Sequence, residues 1–346
     1  MNILITGGAG FLGYHLAQFL KKKGHTLTLL DLHAFDKKEY PGNYNLVIGD
    51  VRDKRLVYSL AKRADVIIHA AAALPLEKAE EIRTTTVNGT RIVLQAALKN
   101  KVKRVIYISS TAVYGIPKVH PIYETDTLVG VGPYGESKIK AEQLCRQHIK
   151  KGLSVTIIRP KTFVGTGRLG VFEILFDWVH DGKKIPAIGS GNNKYQLLEV
   201  DDLVAAIYCA VTSRSKKMNT EFNIGAGEYG TVKSDLETLF KYAKSGSKIF
   251  PVPSLFVKTP LRILEALHLS PLYRWVYDTA DKDSFVSIEK AKKILKWKPK
   301  YSNAQALIRS YCWYLKHYKN IKSKRAGFTH TVGWKQGALG IVKRFM

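Results

Sequence analysis

Asn2-Ile-Leu-Ile-Thr6-Gly-Gly-Ala-Gly-Phe-Leu-Gly13 is the stretch on which the fold turns. Four apolar or β-favouring residues, Ile3–Thr6, read as a short buried strand. Glycines then recur at 7, 8, 10 and 13, and an amphipathic segment, Phe11–Lys23, follows with helical spacing. Glycine in such a turn lets backbone approach a pyrophosphate, which sits on the N-terminus of the following helix. A glycine pattern alone is also compatible with a tight turn that binds nothing. Its place between a strand and a helix favours the dinucleotide reading. The binding set taken from this turn is Gly7, Gly10, Phe11, Leu12 and Gly13.

Outward from this turn, short apolar segments alternate with amphipathic ones. Strands are expected at Ile3–Thr6, Thr26–Leu30, Asn45–Ile48, Val66–His69, Arg104–Ser109 and Ser154–Arg159. Helices are expected at Phe11–Lys23, Arg55–Ala61, Thr86–Lys99 and Tyr134–Lys150. That order predicts an α/β fold, a doubly wound parallel sheet with helices on both faces. After Pro160 the pattern loosens. Gly165-Thr-Gly167, Gly189-Ser-Gly191 and Gly225-Ala-Gly227 punctuate it, with helices expected near Val171–His180, Asp201–Thr212 and Val232–Ala243. The expected organisation is a nucleotide-binding domain over 1–160 and a smaller mixed substrate lobe over 161–315, with some chain returning to the sheet. A basic tail over 316–346 completes it.

Asp31 closes the second strand, 18 residues after Gly13. A carboxylate there accepts both adenosine ribose hydroxyls and repels a 2′-phosphate, which argues for NAD over NADP. Lys37 and Lys38 nearby pull the other way. Asp50, with Val51, follows the third strand and suits an adenine-edge contact, although an Asp after a strand is commonly a turn residue. Ala70, Ala71 and Ala72 follow the fourth strand, where small side chains let a cofactor lie against backbone. His69 itself reads as a satisfied core histidine.

Tyr134-Gly-Glu-Ser-Lys138 carries the chemistry. Tyrosine and lysine four apart share one helical face. A free phenol has a pKa of about 10, and a neighbouring ammonium favours its ionised form. The pair can therefore act as a base near neutral pH. Behind a dinucleotide site, with Ser110 lying 24 residues upstream, this implies oxidation of an alcohol.

The chain has 346 residues and a net charge of +27. Residues 290–346 hold 15 Lys and Arg and no Asp or Glu. Such asymmetry points to an anionic partner or to a solvated basic surface. No nucleic-acid module accompanies the charge, so nucleic acid is not expected. Cys145, Cys209 and Cys312 are too scattered for a disulfide framework or a zinc site, and no metal is expected. The chain carries no apolar run of about 18 residues, and residues 2–6 read as a strand, not a leader. A cytoplasmic protein is expected, with peripheral contact at the inner face of a membrane kept open.

Together these residues resemble the extended short-chain dehydrogenase/reductases, often called NAD-dependent epimerases/dehydratases. The glycine turn, Asp31, Gly49-Asp50, His69-Ala-Ala, Ser109-Ser-Thr-Ala-Val-Tyr-Gly115, Tyr134 with Lys138, Arg159-Pro160 and Val200-Asp-Asp-Leu203 fall in that family's order. Ile288–Pro299 is similar to its C-terminal segment, so the resemblance covers essentially residues 1–315. It implies a Rossmann fold and bound NAD. Tyr134 would be the general base, and Lys138 would lower its pKa and hold the nicotinamide ribose. Ser110 would hydrogen-bond the reacting oxygen, with Thr111 as second choice. Pro160 would join the cofactor contacts. Thr111, Thr162, Arg168 and Tyr195 would face a small-molecule substrate, and the family's habit implies a homodimer through helices including the one that bears Tyr134.

Departures from the family pattern narrow the activity. Dehydratases of this group place an Asp-Glu pair after the active hydroxyl, where this chain has Thr111-Ala112. Sugar epimerases usually have Asn at position 162 and Arg at position 195. Here Thr162 and Tyr195 stand there, with Lys194 and Arg168 as substitutes for the arginine. Thr86 replaces a usual Asn, and a hydroxyl still donates one hydrogen bond.

The leading expectation is an epimerase of a nucleotide sugar that uses transient hydride transfer. The alternative is a dehydrogenase or reductase of a hydrophobic alcohol resembling the 3β-hydroxysteroid dehydrogenases, suggested by the apolar stretch Pro253–Trp275. That stretch reads equally as a packed helix. A non-catalytic NAD sensor is disfavoured by Tyr134, Lys138 and Ser110 together. In the tail, Trp334, Ala338, Ile341 and Phe345 recur at helical steps among Lys335, Lys343 and Arg344. This fits an interfacial helix on anionic lipid or a segment docked on the protein's own body.

Overall fold

The computed structural model describes residues 1–75, 77–167, 170–266, 274–323 and 343, leaving aside the side chains of 263–266 and 274–276. Its first half runs β1 (Asn2–Thr6), α1 (Phe11–Lys22), β2 (Thr26–Asp31), β3 (Asn45–Ile48), α2 (Lys54–Ala61), β4 (Val66–His69), α3 (Ala79–Arg83), α4 (Gly89–Lys99), β5 (Arg104–Ile108), α5 (Gly132–Lys150) and β6 (Val155–Pro160). The second half runs β7 (Phe163–Val164), α6 (Val171–His180), β8 (Ile185–Ile188), β9 (Leu198–Glu199), α7 (Val200–Thr212), β10 (Glu221–Ile224), α8 (Val232–Ala243), β11 (Ile249–Val252), α9 (Ser254–Ala266), α10 (Arg274–Thr279), α11 (Glu289–Leu295) and α12 (Asn303–Ser323).

Seven strands form one sheet in the order β10-β6-β5-β4-β1-β2-β3. Each pairing in it is parallel. The order reverses direction between β1 and β4, and the crevice at that switch point is where doubly wound sheets bind ligands. The six expected strands are present within a residue or so of their expected ends. The seventh, β10, pairs in parallel with β6 at the edge of the sheet.

Alternation along the strands explains the layers. Ile3, Ile5, Leu27, Leu29, Ile68, Ile106 and Ile158 face one side and pack with Leu16 and Leu20 of α1 and Leu203 and Ile207 of α7. Leu4, Leu30, Ile67, Val105, Val155 and Ile157 face the other, against Val57, Val93, Leu94 and Ala141. Burying strands on both faces requires near-continuous apolar runs, which these strands have. A third cluster builds the lobe, with Phe176 and Trp178 of α6, Leu239 and Phe240 of α8, and Leu307, Tyr311 and Tyr314 of α12.

Two local expectations differ. The helix expected from Thr86 starts earlier as α3, and a wide turn over Thr84–Asn88 joins it to α4. Ala79-Glu-Glu-Ile-Arg83 shows only Ile82 to the core, so no apolar stripe announces it. The tail expected from 316 starts inside α12, whose buried Tyr314 and Ile321 carry the helix to Ser323. Most of the apolar stretch 253–275 and of the tail's apolar repeat lies outside the described residues or side chains.

Candidate functional site

Gly7 has φ of +75°, a conformation that favours glycine, and a side chain there would meet the Ala71 amide nitrogen at 2.8 Å. At Gly13 a Cβ would stand 2.1 Å from the Gly7 carbonyl oxygen. The turn thus packs strand, loop and helix too tightly for any other residue at either point. Helix α1 begins at Gly10 with no side-chain cap and no acid in its first turn. The positive end of this helix suits a pyrophosphate. Phe11 and Leu12 are buried behind the turn, and Ala70, Ala71 and Ala72 lie half-buried beside it. These residues fit NAD.

Asp31 lies against the same turn, its carboxylate accepting from Ala9 N at 2.9 Å and His33 N at 3.0 Å. Each oxygen keeps a lone pair for a ribose hydroxyl. Asp50 is engaged by Arg52, whose Nε and Nη2 approach its oxygens at 2.7–3.0 Å. Arg52 continues to Glu81 at 2.9 Å and Thr84 at 3.0 Å. These bonds hold the Asp50 carboxyl below its ordinary range. The sequence reading missed Arg52, although it stands two residues after Asp50. Val51 is buried and packs on Gly89, where a Cβ would meet it at 2.7 Å. His69 is a core histidine, with Nδ1 2.7 Å from Thr6 Oγ1 and Nε2 3.0 Å from Thr90 Oγ1. Burial, and then the Lys138 charge, push it down to about 3.

Helix α5 starts at Gly132 with Pro133 in its first turn, a position that favours proline. It brings Tyr134 and Lys138 to the carboxyl end of β5. The Lys138 amine donates to the Ile108 carbonyl at 2.8 Å and lies 5.7 Å from the Tyr134 ring centroid. The Tyr107 ring lies beneath it at 5.2 Å. Burial pulls the ammonium down to about 8, against the pull of Glu142 in the opposite direction. Ser110 follows β5 and caps the short turn Thr111–Tyr114, its Oγ accepting from Ala112 N at 3.1 Å. Tyr134, Lys138 and Ser110 thus all lie at the carboxyl end of β5.

Below them lies an ion cluster that the sequence reading did not name. Glu142, fully buried, takes Arg159 through two bonds of 2.6 and 2.8 Å and Ser109 Oγ at 2.7 Å. Its spacing of four from Lys138 on α5 was the available signal. The neighbouring Pro160 is buried in β6.

On the lobe side, Thr162 Oγ1 stands 3.4 Å from the Tyr195 hydroxyl. Thr111 is buried, and among the described residues its Oγ1 has no hydrogen-bond partner. Arg168 lies outside the described residues. Lys161, between Pro160 and Thr162, is buried and was not singled out from the sequence. No group of three or more His, Cys, Asp or Glu among the described residues could hold a metal.

A family model described as the NAD dependent epimerase/dehydratase family matches residues 3–225. The chain belongs to that family. An uncharacterized protein y4nG of Sinorhizobium fredii is 34% identical over 345 residues, 98% of this chain and 85% of its own length. A UDP-N-acetyl-alpha-D-glucosaminuronate decarboxylase of Bacillus cytotoxicus is 33% identical over 72% of this chain and 83% of its own. The crystal structure of a UDP-glucose 4-epimerase with UDP-glucose from Thermotoga maritima superposes with a TM-score of 0.77 at 25% identity, covering 92% of this chain and all of that one. The chain is thus an NAD-dependent enzyme of the epimerase/dehydratase family, in line with the carboxylate at Asp31.

Proposed function

We propose that this protein epimerises a hydroxyl-bearing carbon of a nucleotide sugar. The observation that carries the reading is the placement of Tyr134, Lys138 and Ser110 at the carboxyl end of β5. Gly7, Gly10, Phe11, Leu12, Gly13, Asp31, Asp50, Val51, Ala70–Ala72, Lys138 and Pro160 would hold NAD. Bound there, NAD supplies the acceptor and later donor of the hydride carried by the reacting carbon. Tyr134 takes the hydroxyl proton, and the Lys138 ammonium beside it stabilises the phenolate. Ser110 hydrogen-bonds the same sugar oxygen. Thr111, Thr162, Arg168 and Tyr195 position the sugar and its diphosphate. With Thr111-Ala112 after Ser110, no acid is placed to expel water. Relatives named for UDP-sugar substrates support a uridine nucleotide.

An epimerase returns its cofactor to the starting state each turnover. Purified protein should therefore carry NAD, and a UDP-sugar should equilibrate with its epimer without net NADH. Release of stoichiometric NADH would point instead to a dehydrogenase and overturn the reading. Two parts of it concern assembly and place. Two copies pair through helices including α5, which light scattering would test. The basic tail contacts anionic lipid at the periphery of a membrane, which vesicle sedimentation would test. Among the described residues no helix is long and apolar enough to cross a membrane.

A further inference from the structure

At the carboxyl end of β6 a lysine is buried, and among the described residues no acid is paired with it. Lys161 is 1% exposed. Its amine donates to Ser284 Oγ at 2.7 Å and lies 4.9 Å over the Tyr195 ring. Among the described residues it forms no ion pair. The other buried cations of this region differ: Arg159 is clasped by Glu142, and Lys138 lies within the field of that same carboxylate. A buried charge without a counter-charge is strongly unfavourable, and one hydroxyl and one ring face do not replace a carboxylate. Burial alone pushes this ammonium down to about 7.

Other polar atoms near this strand end are also unsatisfied. Among the described residues, Thr111 Oγ1 and His120 Nε2 are buried without hydrogen-bond partners. Burial holds the His120 imidazole below its ordinary value; the Asp283 carboxylate opposes this and the Lys161 charge adds to it. The Tyr195 hydroxyl, by contrast, is met by Thr162 Oγ1 at 3.4 Å and by Thr279. Buried polar groups left unpaired by the chain call for a partner from outside it. The β5–β6 register pairs Ile108 with Ile158, so Ser110–Thr111 and Pro160–Lys161 leave the sheet side by side. Adjacent strands lie about 4.8 Å apart. Lys161 therefore leaves the sheet next to Ser110–Thr111.

We infer that Lys161 sets the specificity of this enzyme, its ammonium receiving a carboxylate borne by the sugar of the nucleotide-sugar substrate while Ser284 holds the amine in place. A single ammonium backed by one hydroxyl suits one carboxylate, whereas a diphosphate needs several donors. The inference rests on the epimerase reading above.

The test compares UDP-glucuronic acid with UDP-glucose on the NAD-bound wild type and on Lys161→Met, which keeps the side-chain length without the charge. The wild type should favour the acidic sugar in kcat/KM, and the variant should lose that preference by about 100-fold, as expected when one member of a buried charge pair is removed. Melting gives a second readout that needs no turnover. Without sugar and at pH 6, where the amine is charged, Lys161→Met should melt above the wild type, because an uncompensated buried charge is gone. UDP-glucuronic acid should raise the melting temperature of the wild type more than UDP-glucose does, and the variant should not distinguish them. An unchanged preference ratio, or a variant that melts lower and still distinguishes the sugars, would make Lys161 a structural prop and overturn the inference. Turnover of neither sugar would instead count against epimerisation, and sugar-dependent melting would still decide the role of Lys161.

Discussion

The Lys138 ammonium is useful to Tyr134 only while it is charged. Held down to about 8 by burial, it is about nine-tenths protonated at pH 7 and half protonated at pH 8. Activity should therefore fall as pH rises through about 8, because the neutral amine no longer favours the phenolate. A profile of kcat/KM against pH would show this, and a flat profile to pH 9.5 would contradict it. Tyr134→Phe removes the base itself and should cost about 10²- to 10⁴-fold in turnover. The NAD that co-purifies should be retained, because the ring remains. Gly13→Ala acts on the other half of the site. Its new Cβ would stand 2.1 Å from the Gly7 carbonyl oxygen, so the turn must open. The variant should purify with little or no NAD, which absorbance after denaturation would measure.

At the scale of elements, α7 is joined to the lobe through an acid that ought not to be charged. Glu199 caps α7 by accepting from Asp201 N, and Arg309 of α12 reaches it at 3.3 Å. Burial, then the nearby Asp201 charge, raise its carboxyl to about 7. An acid whose folded pKa lies above its unfolded value of about 4.3 stabilises the fold most at low pH and loses that contribution as pH climbs through 7. Glu199→Gln does not titrate. Its stability relative to the wild type should therefore rise by up to about 3 kcal/mol between pH 5 and pH 8. Urea unfolding at the two pH values would measure it, and a constant difference would refute the assignment. The elements themselves were largely legible, because a strand's apolar run and the i, i+4 spacing of Tyr134 and Lys138 are local patterns. β10 was missed because four residues, Glu221–Ile224, declare little by themselves. The isolation of Lys161 was not readable either. Its amine's partner Ser284 is 123 residues away in sequence, and that no described acid pairs with it is a property of the packed lobe.

For the whole molecule, the open question set by the charge of +27 is whether the basic end of the chain faces outward or holds the lobe together. Among the described residues of that end, Lys322 and Lys343 both reach α6. Lys343 sends its amine to Asp177 and Asp181 of α6 and its following turn, at 2.6 Å each. Asp177 is buried and also takes Lys322 at 2.5 Å and the Tyr314 hydroxyl at 2.9 Å. Burial lowers the Lys343 pKa, but the two carboxylates outweigh it and the net direction is upward. Such a lysine contributes as long as it is charged, which holds across the physiological range. Removing it leaves the buried Asp177 with one cation fewer, a loss on the order of 1 kcal/mol for a partly exposed pair. Lys343→Gln should therefore lower the melting temperature by about 2 °C, and Asp181→Asn should do the same. The paired substitution should cost less than the sum, because both remove one interaction. If the variants melt like the wild type while deletion of residues 324–346 abolishes sedimentation with anionic vesicles, the segment serves lipid and not the lobe. If the variants melt lower and vesicle binding is absent throughout, Lys343 serves the lobe through Asp177 and Asp181 and not lipid.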